Sequence, residues 1–327
     1  MSQDQTKKEA LFNEVKGSLF EYLVGRELCR LAGHELDFLQ SLDANYLNVL
    51  SQQDRMVRQF YPEMHPFLSE VANQSSKALI NYLGELPSNA ILKGKFADSS
   101  NEKEIFEADL IIETQKGALP LSLKLNKKNS FVNTKSGGIK SFFDHYFPFL
   151  DSSFQASFNH FVDREFIRMA HELHAMNDLE FNGNFSLWVK SGKSELPGEL
   201  SIEERGILKK FYARIAAQIF EILIHAKSVS LQKFSSALSS LMGFSSTDIL
   251  QLVCFHEFKT KGTAEIQIHS FKDIRNFLEE VEILPFTQTS SVDLKINDLT
   301  LQIRVKPMNK FTTTAIKINC SVKFKQI

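Results

Sequence analysis

The sequence is short of cysteine, tryptophan, net charge and long apolar runs, and most of these shortages remove a class of protein. Three cysteines, Cys29, Cys254 and Cys320, stand far apart in apolar surroundings. They form neither a zinc-ligand spacing nor an even set for cross-linking, which excludes a disulfide scaffold and fits a reducing compartment. No apolar run approaches the roughly 20 residues of a membrane span, so no membrane partner is expected. The opening residues, MSQDQTKKEALF, carry no apolar signal core, and a cytoplasmic location is the expectation. No Gly-rich loop followed by Lys-Ser/Thr occurs, which argues against a P-loop motor. Formal net charge is −1, so the molecule as a whole does not advertise a nucleic-acid partner.

Local absences say more than the total. After Glu113 the next acid is Asp144, and Lys116, Lys124, Lys127, Lys128, Lys135 and Lys140 lie between them. After Asp298 no acid follows, while Arg304, Lys306, Lys310, Lys317, Lys323 and Lys325 do. Two acid-free basic stretches in a near-neutral chain point to a segregated positive surface suited to a polyanion.

The first part of the chain has helical spacing. Leu11, Val15, Leu19, Tyr22, Leu23 and Leu28 mark a helix over 7–33 with Gly33 as its stop. Two more helices are predicted over 40–60 and 63–84, and a loop or edge strand over 90–104. Residues 105–126 read as two apolar strands joined by a turn at Lys116-Gly117. Residues 127–138 are polar and end in Gly137-Gly138, which predicts a loop. Helical patterns return at 139–150 and 151–180. Ser201 and Glu204 form a capping box that opens a helix running to about Lys227. Strands are then predicted over 249–258, 264–268, 291–296, 299–306 and 312–325, with a short helix over 270–280 and a turn at Asn297-Asp298. This is an α+β chain, mainly helical around a small sheet near residue 110, and the change of character places a boundary between 1–195 and 196–327.

The stretch Phe106 to Gly138 carries the chemistry. Metal-assisted phosphodiester hydrolysis needs a carboxylate to hold Mg²⁺ beside the phosphate, a lysine to position or deprotonate the attacking water, and further oxygen ligands. Asp109 stands at the head of the first apolar run, Leu110 to Ile112. Ser122 and Lys124 share one face of the second strand, and Leu121, Leu123 and Leu125 take the other.

Asp109, Ser122-Leu123-Lys124 and the following LNKKNSFVNTKSGGIKSFF resemble the hairpin and post-lysine segment of type II restriction endonucleases of the PD-(D/E)xK superfamily. The tail LQIRVKPMNKFTTTAIKINCSVKF is similar to one seen in such enzymes. Ala108 replaces the usual proline, and Ser122 replaces the usual acid, an S-x-K variant. The resemblance implies a restriction-endonuclease-like core: a small mixed sheet flanked by helices. It also implies that the missing carboxylate comes from elsewhere. Glu21, on a first core helix with Gly17 one turn before it, is taken first; Asp144 and Glu14 follow, and Glu27 points elsewhere on that helix. Asp109 and Glu21 are then the metal ligands, Lys124 the water-positioning group, and Ser122 lies close by.

The same resemblance implies site-specific Mg²⁺-dependent cleavage of double-stranded DNA within a restriction-modification system, with residues 1–195 as nuclease core and 196–327 as a DNA-contacting part. A homodimer matches two-strand cutting at palindromic sites, and a companion DNA methyltransferase is expected as a neighbouring gene. A DNA repair or junction-resolving nuclease on the same fold, or a non-catalytic DNA-binding protein that has lost the metal site, is the alternative.

The DNA grip is expected in two places. Asn126, Asn129 and Asn133 suit base edges, and Lys127, Lys128, Lys135 and Lys140 suit phosphates. In the tail, Arg304 and Lys306 alternate onto one face of a strand, followed by Asn309 and Lys310. The plainer reading is a loop satisfying its own turns and an edge strand blunted by charge. His171 and His174, at i and i+3, lack a third ligand and read as helix residues. Asp163, Arg164 and Glu165 read as a solvated charge run.

Overall fold

The computed structural model describes residues 3–93, 108–244, 249–257, 264–270, 280–307 and 309–325. The expected helix over 270–280 lies almost entirely outside them. The fold is mixed α+β, and the chain gathers into two compact units. One comprises Met1–Ser130 and Phe244–Ile274; the other comprises Phe131–Gly243 and Arg275–Ile327. The division does not fall between 195 and 196. Strands distant in sequence complete each sheet, and sequence composition carries no record of which strands pair.

In the first unit the apolar stripe predicted for the opening helix becomes the inner face of α1 (Gln3–Ala32). Val15, Leu19, Phe20, Val24 and Leu28 are buried on it. Gly33 ends the helix in the left-handed conformation, φ 85°, with its amide donating to the Arg30 carbonyl. Helices α2 (Glu35–Ser41), α3 (Ala44–Phe60) and α4 (Met64–Leu83) follow. The sheet runs in the order β1 (Asn89–Leu92), β2 (Leu110–Thr114), β3 (Gly117–Lys127), β5 (Leu250–His256), β6 (Glu265–Ser270). β3 and β5 are parallel, and the other pairs are antiparallel. A parallel pair requires a long crossover, and here the chain passes through much of the other unit between the two strands. Leu110, Ile112, Leu121, Leu123, Leu250, Leu252 and Cys254 share one core with α1 and with Leu68, Val71, Ala72 and Leu79 of α4. Gly25 lets α1 approach closely, because a Cβ there would stand 2.9 Å from the Phe38 ring and 3.1 Å from Leu110.

The second unit holds β4 (Val132–Gly138), α5 (Phe142–Tyr146), α6 (Ser152–Met176), α7 (Ser186–Lys190), α8 (Ile202–Val229) and α9 (Leu231–Leu241). Its sheet has the order β4, β10 (Ile316–Lys323), β9 (Leu299–Pro307), β8 (Ser291–Ile296), β7 (Val281–Ile283), antiparallel throughout. α8 covers its apolar face beside β8 and β9. The Ser201–Glu204 capping box is present: Ser201 Oγ accepts from the Glu204 amide at 3.1 Å, and Glu204 Oε2 accepts from the Ser201 amide at 2.7 Å. The turn expected at Asn297-Asp298 joins β8 to β9, with Asn297 at φ 52°. Two readings are corrected. Residues 127–138 are not all loop, because pairing with β10 extends Val132–Gly138 into a strand. Glu165 is not a solvated charge: it is 5% exposed and pairs with Arg214 at 2.6 Å. α9 and β7 have no counterpart among the elements predicted from sequence.

Candidate active site

The hairpin forms as its two apolar runs predict. Leu110 pairs with Leu121, Ile112 with Leu119, and Thr114 with Gly117. Gly117 takes φ 115°, which a glycine tolerates and other residues resist. The Lys116 amide donates to Thr114 Oγ1 at 3.1 Å and closes the turn.

Asp109 sits one residue before β2, with its backbone already tied on both sides. Its amide donates to the Leu121 carbonyl at 2.9 Å, and its carbonyl accepts from the Lys93 amide at 3.0 Å. The side chain then gathers the second strand. Oδ2 accepts from the Leu123 amide at 2.6 Å, from Ser122 Oγ at 3.2 Å and from Lys124 Nζ at 3.5 Å. The Leu123 amide lies past the last residue that β2 pairs, and a buried amide left open would be costly; the carboxylate satisfies it. Asp109 and Lys124 keep 22% and 27% of their side-chain surface exposed, so the pair is half-buried. Ser122 is 4% exposed. The face predicted for Ser122 and Lys124, opposite Leu121 and Leu123, is the one they occupy.

Glu21 is half-buried on α1. Its Oε1 lies 4.0 Å from where a Gly17 Cβ would stand, so the side chain extends back along the helix over that glycine. Burial, and then the charges of Glu21 and Asp109, push the Tyr46 phenol up to about 12. The phenol therefore stays protonated at neutral pH, with the charges of both acids acting on it. Tyr46 is not among the residues predicted from sequence; it stands in the first turn of α3, whose N-cap Asp43 accepts from the Asn45 and Tyr46 amides. Nothing in the sequence separates it from a core aromatic.

Of the other acids considered, Glu14 is exposed on α1, and Asp144 belongs to α5 of the other unit. Glu27 is held by Arg30 and Asn73, and Arg30 first among its neighbours keeps its carboxyl below the usual range.

No family model, curated protein or solved structure matches this chain.

At the far end of β3 the chemistry changes sign. Lys127 stands opposite His256 in the parallel register, and the Lys128 amide donates to the His256 carbonyl at 3.1 Å. His256 is 5% exposed, lies edge-on to Phe67 with ring centroids 5.0 Å apart, and its Nδ1 has no hydrogen-bond partner among the described residues. Burial, then Lys16, then Lys127 lower its pKa to about 4. Burial and Lys127 also lower the Lys16 ammonium.

The expected DNA contacts fall in both units. Asn126 Nδ2 donates to Ser130 Oγ at 3.4 Å, and Ser130 Oγ donates to the Lys127 carbonyl, so this turn partly satisfies itself. Asn129 occupies its left-handed position, φ 62°. Lys127 and Lys128 are exposed, with Lys128 3.9 Å from Glu257. In the second unit Asn133 accepts from Ser321 Oγ at 3.5 Å, and Lys135 is half-buried on β4. Lys140 pairs with Asp163 at 2.7 Å. Lys310 pairs with Glu195, which also accepts from Thr312. Asn309, Arg304 and Lys306 are exposed. His174 is fully buried among Phe181, Phe185 and Trp188, with Nδ1 2.8 Å from the Ala170 carbonyl.

Among the described residues no group of at least three His, Cys, Asp or Glu side chains is placed to hold one ion. Mg²⁺ does not need three: it is commonly held by one or two carboxylates, with water and a substrate phosphate filling the shell. The carboxylates of Asp109 and Glu21 are the ligand type that requirement names.

Proposed function

We propose that this chain is an endonuclease that hydrolyses phosphodiester bonds of double-stranded DNA with Mg²⁺, cutting at a specific short site as type II restriction endonucleases do. On this reading the first unit is a restriction-endonuclease-like core. The observation that carries it is the convergence on Asp109 of Ser122 Oγ and Lys124 Nζ.

Asp109 and Glu21 are the residues that would hold the ion. When bound, Mg²⁺ offsets charge on the scissile phosphate and makes a bound water more acidic. The chain's own groups do the rest. Lys124 Nζ, held toward Asp109, orients the attacking water and balances charge. Ser122 and the Leu123 amide fix the Asp109 carboxylate in place. Tyr46 stays protonated at physiological pH, so its phenol adds no further negative charge to the site.

Incubating the protein with Mg²⁺ and phage DNA should give discrete fragments; a smear or intact DNA would oppose site-specific cutting. Asp109→Ala and Lys124→Ala should each lower cleavage by about 10²-fold or more while leaving binding in EDTA unchanged. Full activity in Asp109→Ala would falsify the site. Cutting both strands calls for two copies of the site, and sedimentation with and without DNA tests a homodimer.

One observation favours a second reading. Asp109 Oδ2 already accepts from an amide, a hydroxyl and an ammonium, which is a full set for a structural carboxylate. A non-catalytic DNA-binding protein would use it so. Calorimetric Mg²⁺ titration separates the two, since only the nuclease loses ion binding in Asp109→Ala.

A further inference from the structure

Arg304 and Lys306 had a simple explanation available, that charges on an edge strand deter aggregation. The sheet order removes it. β9 lies between β10 and β8, and β10 lies between β4 and β9. Both strands are internal, so their outward residues do not line a sheet edge.

The pleat sorts these strands cleanly. Leu301, Ile303 and Val305 of β9 are buried, as are Ile316, Ile318, Cys320 and Val322 of β10. The alternate positions face outward: Gln302, Arg304 and Lys306 on β9, and Lys317, Asn319 and Lys323 on β10. The register sets Lys317 directly opposite Lys306, and Asn319 opposite Arg304. Alternate residues repeat every ~7 Å along a strand and neighbouring strands lie ~4.8 Å apart, so three cations fall within one small patch. A like-charged pair directly across a sheet is unfavourable. The strain is visible in Lys306, whose ammonium is lowered by burial and then by Arg304 and Lys317. No described carboxylate forms an ion pair with any of the three, although Lys140, Lys310 and Lys325 elsewhere in this unit each have one. The acid on neighbouring β8, Asp293, is taken by Gln302 Nε2 at 3.1 Å.

A fold that gathers three cations on two internal strands, with no described carboxylate to pair them, is held ready for an external polyanion. We infer that the outer face of β9 and β10 binds duplex DNA, with Arg304, Lys306 and Lys317 on phosphates and Asn319 and Gln302 nearest the base edges. β-sheet readers of DNA use such residue types. The choice of DNA among polyanions rests on the nuclease reading above; the surface itself does not.

The test uses the full chain in EDTA, so that binding is read without cutting. Anisotropy of a labelled duplex of about 30 base pairs is followed between about 50 and 200 mM salt. Arg304→Gln/Lys306→Gln/Lys317→Gln should bind about 100-fold more weakly, with the slope of log affinity against log salt reduced by about two to three, roughly one for each phosphate no longer neutralised. Its melting temperature should stay level or rise, because repulsion has been removed. Lys306→Arg/Lys317→Arg should keep the wild-type slope. Unchanged affinity in the triple variant would overturn the inference, and so would an equal loss of binding to polyglutamate, which would mark the partner as an acidic protein. The two readings fail separately. A chain that never cuts but loses duplex binding in the triple variant keeps this surface and loses the nuclease. A triple variant that binds and cuts like wild type does the reverse.

Discussion

Acidification should weaken the first unit through one imidazole. His256 titrates near 4 in the folded chain and near 6.5 when unfolded. Its folded pKa is depressed, so between those values the unfolded chain binds the extra proton. The neutral ring's contribution is complete above pH 6.5. It is lost as pH falls toward 4 and changes no further below that. A gap of 2.5 units at about 1.36 kcal/mol each gives about 3 kcal/mol in full, and about 2 kcal/mol by pH 5. The physical cause is burial against Phe67 with Lys16 and Lys127 alongside, so a proton on the ring would be desolvated among like charges. The assay must report on the right unit. The single tryptophan, Trp188, belongs to the other one, so amide exchange of β3 and β5 is the measurement, repeated from pH 7.5 to pH 4. Wild type should lose protection steadily over that range. His256→Gln, which cannot titrate, should lose about 2 kcal/mol less by pH 5. Parallel loss in both proteins, or an NMR titration of His256 centred near 6.5, would refute the reasoning.

Other perturbations address other joints. Gly25→Ala forces a methyl into the Phe38 ring and Leu110, both fully buried, and should destabilise the first unit by about 1–3 kcal/mol, read by urea unfolding with circular dichroism. Ser201→Ala removes the α8 cap and should cost about 1 kcal/mol, visible in Trp188 fluorescence. Asp109→Asn keeps the shape but gives up the charge facing Lys124. It should fold and fail to cut DNA, and wild-type cutting rates would count against Asp109 as metal ligand.

Much of the fold was legible where one local signal sufficed. The opening helix showed its stripe from Val15 to Leu28, and the Ser201–Glu204 cap announced α8. The two apolar runs around Lys116-Gly117 gave the hairpin, and with it Asp109, Ser122 and Lys124 as neighbours. What failed depended on distant partners. β4 reads VNTKSGG, polar and glycine-rich, and becomes a strand only because β10 pairs with it. α9 carries Phe234, Leu238 and Leu241 at helical spacing, a signal diluted by its serines. Glu165 looks solvated until Arg214, from another helix, is brought against it. Tyr46 enters the site only through the charges of Glu21 and Asp109 acting on it, and no spacing rule links residues on separate elements.

The parallel pairing of β3 with β5 also has a consequence for synthesis. A ribosome delivers the hairpin early, and β3 then presents an open edge running from Leu121 to Lys127 until residues 250–256 emerge to cover it. The second sheet waits longer still, since β10, which joins β4 to β9, is the last of its strands in chain order. Neither sheet can close until strands far along the chain from its first members have been made. Folding should therefore be slow, in keeping with pairings between residues so far apart in sequence. Chains released before β5 would expose the same edge that carries Ser122 and Lys124, an invitation to aggregate.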